Sequence, residues 1–82
     1  MYYKIGITSR LTSRMSCFRV NNPFEVEVLY WIECEKRKEL ETLLHNRFEK
    51  SNHWGKWFVL DSKDVKRIKE IMDYYALQFP IQ

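Results

Sequence analysis

The chain has 82 residues, of which 45% are hydrophobic and 16% aromatic, and its net charge is +3. The composition excludes a disordered chain, the length allows one small domain spanning residues 1–82, and the charge suits a polyanionic partner. No run approaches the roughly 18 apolar residues of a membrane span, and no signal-peptide pattern opens the chain. We therefore expect a cytoplasmic protein without membrane contacts.

The first predicted element is a strand over residues 2–8, and the second is a helix over residues 11–18. The strand places Tyr3, Ile5 and Ile7 on one face. The helix has an apolar stripe at positions i, i+4 and i+7, formed by Leu11, Met15 and Phe18. Arg14 lies at the edge of that stripe, where an arginine needs a partner.

A turn at Asn22-Pro23 precedes a second predicted strand over residues 25–33, which alternates between two faces. A second helix is predicted over residues 35–50. Glu41 borders the apolar face of this helix, and His45 follows one turn later.

The apolar run at residues 57–60 is predicted to be a third strand or a packed loop. Asp61 then caps a third helix, with Asp64 at the capping-box position, and Pro80 ends it. The predicted fold class is α+β. It has a small, mostly antiparallel sheet of two or three strands packed against three helices, in the order β-α-β-α-β-α.

Arg14 and Glu41 each lean off an apolar stripe, and two interpretations stay open for them. They form a structural ion pair, or they are the working groups of a phosphodiester site. Arginine binds phosphate bidentately, and a lone carboxylate together with substrate phosphate commonly holds Mg²⁺. The cations near the first strand and helix are phosphate-binding candidates: Lys4, Arg10, Arg14 and Arg19.

Five short motifs also occur in a characteristic order. They are Lys4-Ile5-Gly6, Arg14, Asn22-Pro23 before a strand, Leu40-Glu41 with His45 and Arg47-Phe48, and Gly55-Lys56-Trp57-Phe58. Together they resemble the GIY-YIG nuclease superfamily, in particular its phage and bacterial branch with a Lys-Ile-Gly second motif. The resemblance implies a Mg²⁺-dependent endonuclease with Arg14 as the catalytic arginine and Glu41 as the metal ligand.

The resemblance further implies that the family's opening Gly-Ile-Tyr strand is missing, and with it the tyrosine that helps activate water. Lys4, Tyr2, Tyr3 or His45 would have to replace that tyrosine; Lys4 and His45 are named as catalytic candidates. Lys4, Arg10 and Arg19 are the predicted nucleic-acid-binding residues, with DNA or RNA as the partner. The alternative is a catalytically degenerate module that binds nucleic acid, or that binds and blocks a protein, as a phage-type inhibitor does.

A missing first strand also predicts an unpaired edge along Tyr2–Thr8. Exposed edges are templates for pairing, so a homodimer or a protein partner is expected there. The alternative is that the run at Trp57–Leu60 folds back and fills the vacancy.

Overall fold

The computed structural model describes residues 1–7, 14–22 and 25–81. The elements in chain order are β1 (Tyr2–Ile7), β2 (Arg14–Asn22), β3 (Glu25–Glu33), α1 (Arg37–Arg47), a 3₁₀ turn (Glu49–Ser51), β4 (Asn52–Trp54), β5 (Trp57–Val59) and α2 (Ser62–Gln78). Within the described residues the five strands form one antiparallel sheet in the order β3-β2-β1-β5-β4.

The predicted layout of the α+β fold is therefore wrong. The described residues contain two α-helices, not three, and the sheet is larger than predicted. The described part of the segment predicted as the first helix lies in β2. Three successive residues of β2 are buried, namely Met15, Ser16 and Cys17. An amphipathic helix buries one stripe and cannot bury three residues in a row, whereas a strand between two others can.

The prediction of an unpaired edge along Tyr2–Thr8 is also wrong for the described residues of this segment, because β1 is the central strand. It pairs with β2 on one side and β5 on the other, with Tyr3 opposite both Arg19 and Phe58. The amide of Ile5 extends this second ladder by donating to the carbonyl of Lys56 at 3.1 Å. The apolar run that begins at Trp57 thus forms the strand that pairs with this side of β1.

One face of the sheet, the core face, carries the buried apolar residues of the strands. They are Tyr3, Ile5, Met15, Cys17, Ile32 and Phe58. The helices cover this face with Leu40 and Leu44 from α1 and with Ile68 and Met72 from α2. The Tyr30 hydroxyl donates a hydrogen bond to Asp73 and so ties β3 to α2.

The opposite face, here called the outer face, follows from the strand register. Its members are Tyr2, Lys4, Gly6, Arg14, Ser16, Phe18, Val20, Val26, Val28, Trp31, Glu33, Trp54, Trp57 and Val59. An irregularity in the β2–β3 pairing leaves Leu29 without a register partner. The simple alternation predicted for β3 therefore changes face at Leu29, and Val26 and Val28 join Trp31 on the outer face.

Both later helices were predicted from local signals and are confirmed. The α2 helix begins with a full capping box, in which Asp61 accepts from the Asp64 amide at 2.8 Å and Asp64 accepts in return. It ends at Gln78, just before Pro80. Among the described residues, no helix has the length and apolar character needed to cross a membrane.

Candidate functional site

The carboxylate of Glu41 lies against the backbone of β1 at Gly6. A Cβ atom on Gly6 would stand 3.4 Å from the Glu41 Oε2 atom and 3.4 Å from the Lys56 Cδ atom. Helix α1 directs Leu40 and Leu44 into the core, which leaves Glu41 at the border, with 21% of its side chain exposed. Glycine thus leaves a small space beside the carboxylate that any other residue would fill.

Lys56 approaches the same carboxylate from the hairpin between β4 and β5. Its Nζ atom lies 3.4 Å from Glu41 Oε2. The hairpin loop has Gly55 at its first position, with φ of +55°, as a type II′ turn requires. The Asn52 side-chain amide donates to the Gly55 carbonyl at 2.7 Å and fixes the loop. The turn therefore holds the Lys56 ammonium beside the Glu41 carboxylate.

His45 attaches α1 to the sheet next to this point. Its Nε2 atom lies 2.9 Å from the Ile5 carbonyl oxygen. A carbonyl only accepts, so Nε2 carries the proton and donates. The ring also packs edge-on against Phe58, with centroids 4.9 Å apart. Because Glu41 lies one helical turn before His45, this bond anchors the part of α1 that carries Glu41.

Arg14 lies on the outer face at the start of β2. Its guanidinium stacks over the Trp31 ring at 4.0 Å, and its Nε donates to Glu33 Oε1 at 3.3 Å. These contacts orient the guanidinium plane and use the Nε atom. The two terminal nitrogens are the pair through which an arginine binds phosphate bidentately. Ser16, which pairs with Gly6, lies two residues further along β2. The Cα atoms of Arg14 and Gly6 are therefore about 8 Å apart, by standard strand spacings.

Lys4 lies on the outer face two residues before Gly6. Its neighbours across the sheet are Phe18 and Trp57. None of the ion pairs formed within the described residues involves Lys4.

The structure brings together three of the predicted site residues, Lys4, Arg14 and Glu41, around Gly6 on the outer face. Arg14 and Glu41 do not pair with each other, because Glu33 and Lys56 are their partners. His45 adjoins the site through its bond to the backbone. Arg10 lies outside the described residues.

Arg19 lies apart from this group. It pairs with Tyr3 across the sheet and so belongs to the core-face side. Its Nη2 donates to Glu27 Oε2 at 2.7 Å. This hydrogen bond, and secondarily the charge of Glu27, raises the pKa of the Arg19 guanidinium above its ordinary value. Arg19 is thus engaged by a carboxylate on the other face from Lys4.

Sequence reasoning missed three residues of the site, Trp31, Glu33 and Lys56. The alternation of β3 puts Trp31 and Glu33 on one face, and that signal was visible. The contacts of Trp31 and Glu33 with Arg14 could not be predicted, because the sequence pattern places Arg14 on a helix and not on a neighbouring strand. Lys56 occurs in a recognised motif, but its approach to Glu41 depends on the packing of the hairpin against α1.

A divalent cation fits the Glu41 side of this site only as a sparsely ligated ion. No group of three or more His, Cys, Asp or Glu side chains converges in the described part of the chain. Mg²⁺ is usually held by one or two carboxylates plus waters and substrate phosphate. A single carboxylate beside the space left by Gly6 meets that requirement, whereas a structural zinc site needs four ligands.

Comparison with known proteins gives one match. The model of the T5orf172 domain matches residues 1–73, most of the chain. No curated protein and no solved structure matches it. The match covers all five strands, α1 and the larger part of α2, including every residue of the site described above. The chain therefore belongs to the T5orf172 domain family, a phage-associated domain related to nuclease-type folds.

Proposed function

We propose that this domain binds the backbone of a nucleic acid around Gly6 and cleaves a phosphodiester bond with the help of Mg²⁺, in the manner of the GIY-YIG nucleases it resembles. One observation carries the proposal: the Glu41 carboxylate is held beside a glycine on the face that also presents Arg14 and Lys4. Membership of a family related to nuclease-type folds supports it.

The residues have distinct roles in this proposal. Arg14, oriented by Trp31 and Glu33, binds two oxygens of the scissile phosphate and neutralises charge that develops there. Lys4 binds a neighbouring phosphate and sets the register of the strand. His45 is a positioning residue, since its Nε2 proton is donated to the Ile5 carbonyl.

Glu41 would hold the magnesium ion, and the absence of a side chain at Gly6 leaves room beside its carboxylate. When bound, the ion supplies a Lewis acid that polarises the phosphate. Hydrolysis then adds water across the phosphodiester bond and leaves one phosphate monoester and one hydroxyl end.

A second candidate function is a nucleic-acid-binding module without cleavage. The contact between Lys56 and Glu41 favours it, because the ammonium already compensates the carboxylate at 3.4 Å. In that case the outer face binds the backbone through Lys4 and Arg14, and Glu41 serves only to hold the hairpin.

Nicking of supercoiled plasmid with Mg²⁺ or Mn²⁺ separates the two functions. The wild type is expected to nick, and Glu41→Gln is expected to lose activity while retaining its circular dichroism spectrum and a melting temperature within about 8 °C of the wild type. Glu39→Gln is the matched control, because Glu39 lies on the same helix, is exposed and, within the described residues, has Lys36 as its ion-pair partner. Retained binding by a wild type that nicks with neither metal would select the binding module. Nicking by Glu41→Gln at the wild-type rate would rule out Glu41 as the ligand.

A further inference from the structure

The outer face carries a second feature at the opposite end of β1 from Glu41. A groove of about 360 Å³ is lined by Tyr2, Val20, His53, Trp54 and Trp57. The Tyr2 and His53 rings lie 4.9 Å apart at 54°, and the side of Trp54 is open to solvent, with 73% of the residue exposed. A solvent-exposed indole beside other aromatic rings is typical of a binding surface and not of a protein core.

The groove is built on rigid elements. Tyr2 and Trp57 are held by the β1–β5 ladder, in which Tyr2 opposes Val59 and Lys4 opposes Trp57. Trp54 pairs with Trp57 at the neck of the β4–β5 hairpin. Since the Asn52 amide clamps that hairpin, the rings are placed before any ligand arrives.

The charges around the groove identify the class of ligand. Lys4 lies between Phe18 and Trp57, beside the groove, and has no ion-pair partner among the described residues. Exposed rings next to an uncompensated cation match a ligand with flat aromatic groups on an anionic backbone. Neither an aliphatic peptide nor a neutral aromatic molecule would use both features.

We propose that this groove stacks an unpaired nucleobase, so that the domain acts on single-stranded or locally unpaired nucleic acid. The inference rests on the proposed function for the position of the scissile phosphate. Tyr2 and Gly6 are four residues apart on β1, which is about 13 Å at 3.3 Å per residue. A nucleic-acid strand with one base in the groove would pass over Lys4 and reach the Glu41 side of the same face. Bases inside a duplex are stacked on each other and cannot enter the groove without leaving the helix.

Binding is measured by fluorescence anisotropy of an end-labelled oligothymidine strand in EDTA, so that no cleavage occurs. Trp54→Ala is expected to weaken binding about 5- to 100-fold, the range for loss of one stacked base. Tyr74→Ala is the matched control and is expected to bind like the wild type. Tyr74 is also an exposed aromatic, at 59%, but lies on α2.

A strand with abasic sites tests whether the base itself is recognised. The wild type is expected to bind this strand as weakly as Trp54→Ala binds oligothymidine, and Trp54→Ala is expected to lose nothing further. Equal binding of both strands by the wild type, or equal affinity of Trp54→Ala and wild type for oligothymidine, would overturn the proposal. Preference for duplex over single strand would overturn it as well.

The outcome is independent of the cleavage assay. Base-dependent binding in EDTA supports the groove even when plasmid nicking fails. Conversely, nicking that depends on Glu41 in a protein whose Trp54→Ala variant binds normally would overturn the groove and leave the proposed function standing.

Discussion

The Nζ atom of Lys56 and the Oε2 atom of Glu41 lie 3.4 Å apart, beside the backbone of Gly6. This pair joins α1 to the β4–β5 hairpin. Lys56 is half exposed, so the attraction is screened and stabilises the fold by no more than about 1 kcal/mol. The contact matters more for the proposed function, because the Lys56 ammonium would compete with the proposed magnesium ion for the same carboxylate.

Replacement of Lys56 by glutamine is therefore expected to strengthen metal binding. Loss of a screened ion pair should lower the Kd for Mn²⁺ about two- to fivefold, as measured by isothermal titration calorimetry. Lys36→Gln is the control, because Lys36 pairs with Glu39 at 3.9 Å, away from the site. An unchanged or weaker Mn²⁺ affinity in Lys56→Gln would show that the two cations do not compete.

Alanine at Gly6 is expected to separate stability from function. The new methyl group would lie 3.4 Å from the Glu41 carboxylate and 3.4 Å from the Lys56 stem, which is ordinary contact distance, so it crowds these flexible side chains little but fills the space beside them. Removing a strand glycine favours the fold by about 0.5–1 kcal/mol, which offsets the crowding. Nicking should fall by up to about 100-fold, since the methyl group takes the room beside the Glu41 carboxylate and a small misplacement at a reacting site has a large effect.

Gly55→Ala should behave in the opposite way. Nothing lies within 4 Å of a Cβ atom there, but φ is +55°, so the strain lowers the free energy of unfolding by about 1 kcal/mol. Urea titration and plasmid nicking of both glycine variants provide the comparison. Wild-type nicking by Gly6→Ala would show that the space beside Glu41 is not used.

The two arginines of β2 are expected to differ in their contribution to nucleic-acid binding. Arg14→Gln removes a cation from the outer face, and the slope of log K against log salt should become shallower by about 0.7–0.9. Arg19→Gln should leave that slope unchanged, because Arg19 is bonded to Glu27 on the other side of the sheet. Anisotropy titrations at several salt concentrations measure both. Identical slopes for the two variants would contradict the assigned faces.

Substitutions at His45 distinguish a positioning role from a catalytic one. His45→Ala deletes the donor to the Ile5 carbonyl and should lower the free energy of unfolding by about 1–3 kcal/mol. His45→Gln retains an N–H donor of similar reach, so stability and Mn²⁺ affinity should largely return. A histidine that transfers protons would instead lose activity equally in both variants, with no rescue by glutamine.

The Cys17 thiol predicts an alkaline loss of stability. Burial raises its pKa from the ordinary value of 9.0 to about 11, although the charge of Lys69 lowers it slightly. Between these values the unfolded chain has lost the proton and the folded chain has kept it, so stability falls as pH rises from 9 to 11. The loss reaches about 2–3 kcal/mol.

Urea titrations at pH 8 and pH 11 should show a loss of stability that is larger by this amount in the wild type than in Cys17→Ala. The subtraction removes other groups that titrate in the same range, such as Tyr30, whose pKa is raised by its hydrogen bond to Asp73. A pH dependence that is identical in both proteins would contradict the assignment to Cys17.

The elements with strong local signals were predictable from the order of residues alone. The α2 helix has its capping box and its terminating proline close to its ends, and β1 shows its alternation directly, whereas the alternation of β3 changes face at Leu29. Glu41 and His45 could also be assigned to one side of α1, since helical spacing is a local property. Capping and helical or strand periodicity depend on residues that are close in the chain, so they can be predicted without knowledge of the tertiary structure.

Pairing between distant segments determined the rest. The segment around Met15 has a helical spacing of apolar residues, yet it gains two ladders and a buried face as the strand between β1 and β3. That gain depends on neighbours far away in the chain, and it overrides local preference. The same pairing gives Arg14 its contacts with Trp31 and Glu33, and it places β5 beside β1, bringing Lys56 to Glu41. These partners are separated by 15 to 19 residues, and only the packed sheet brings them within bonding distance.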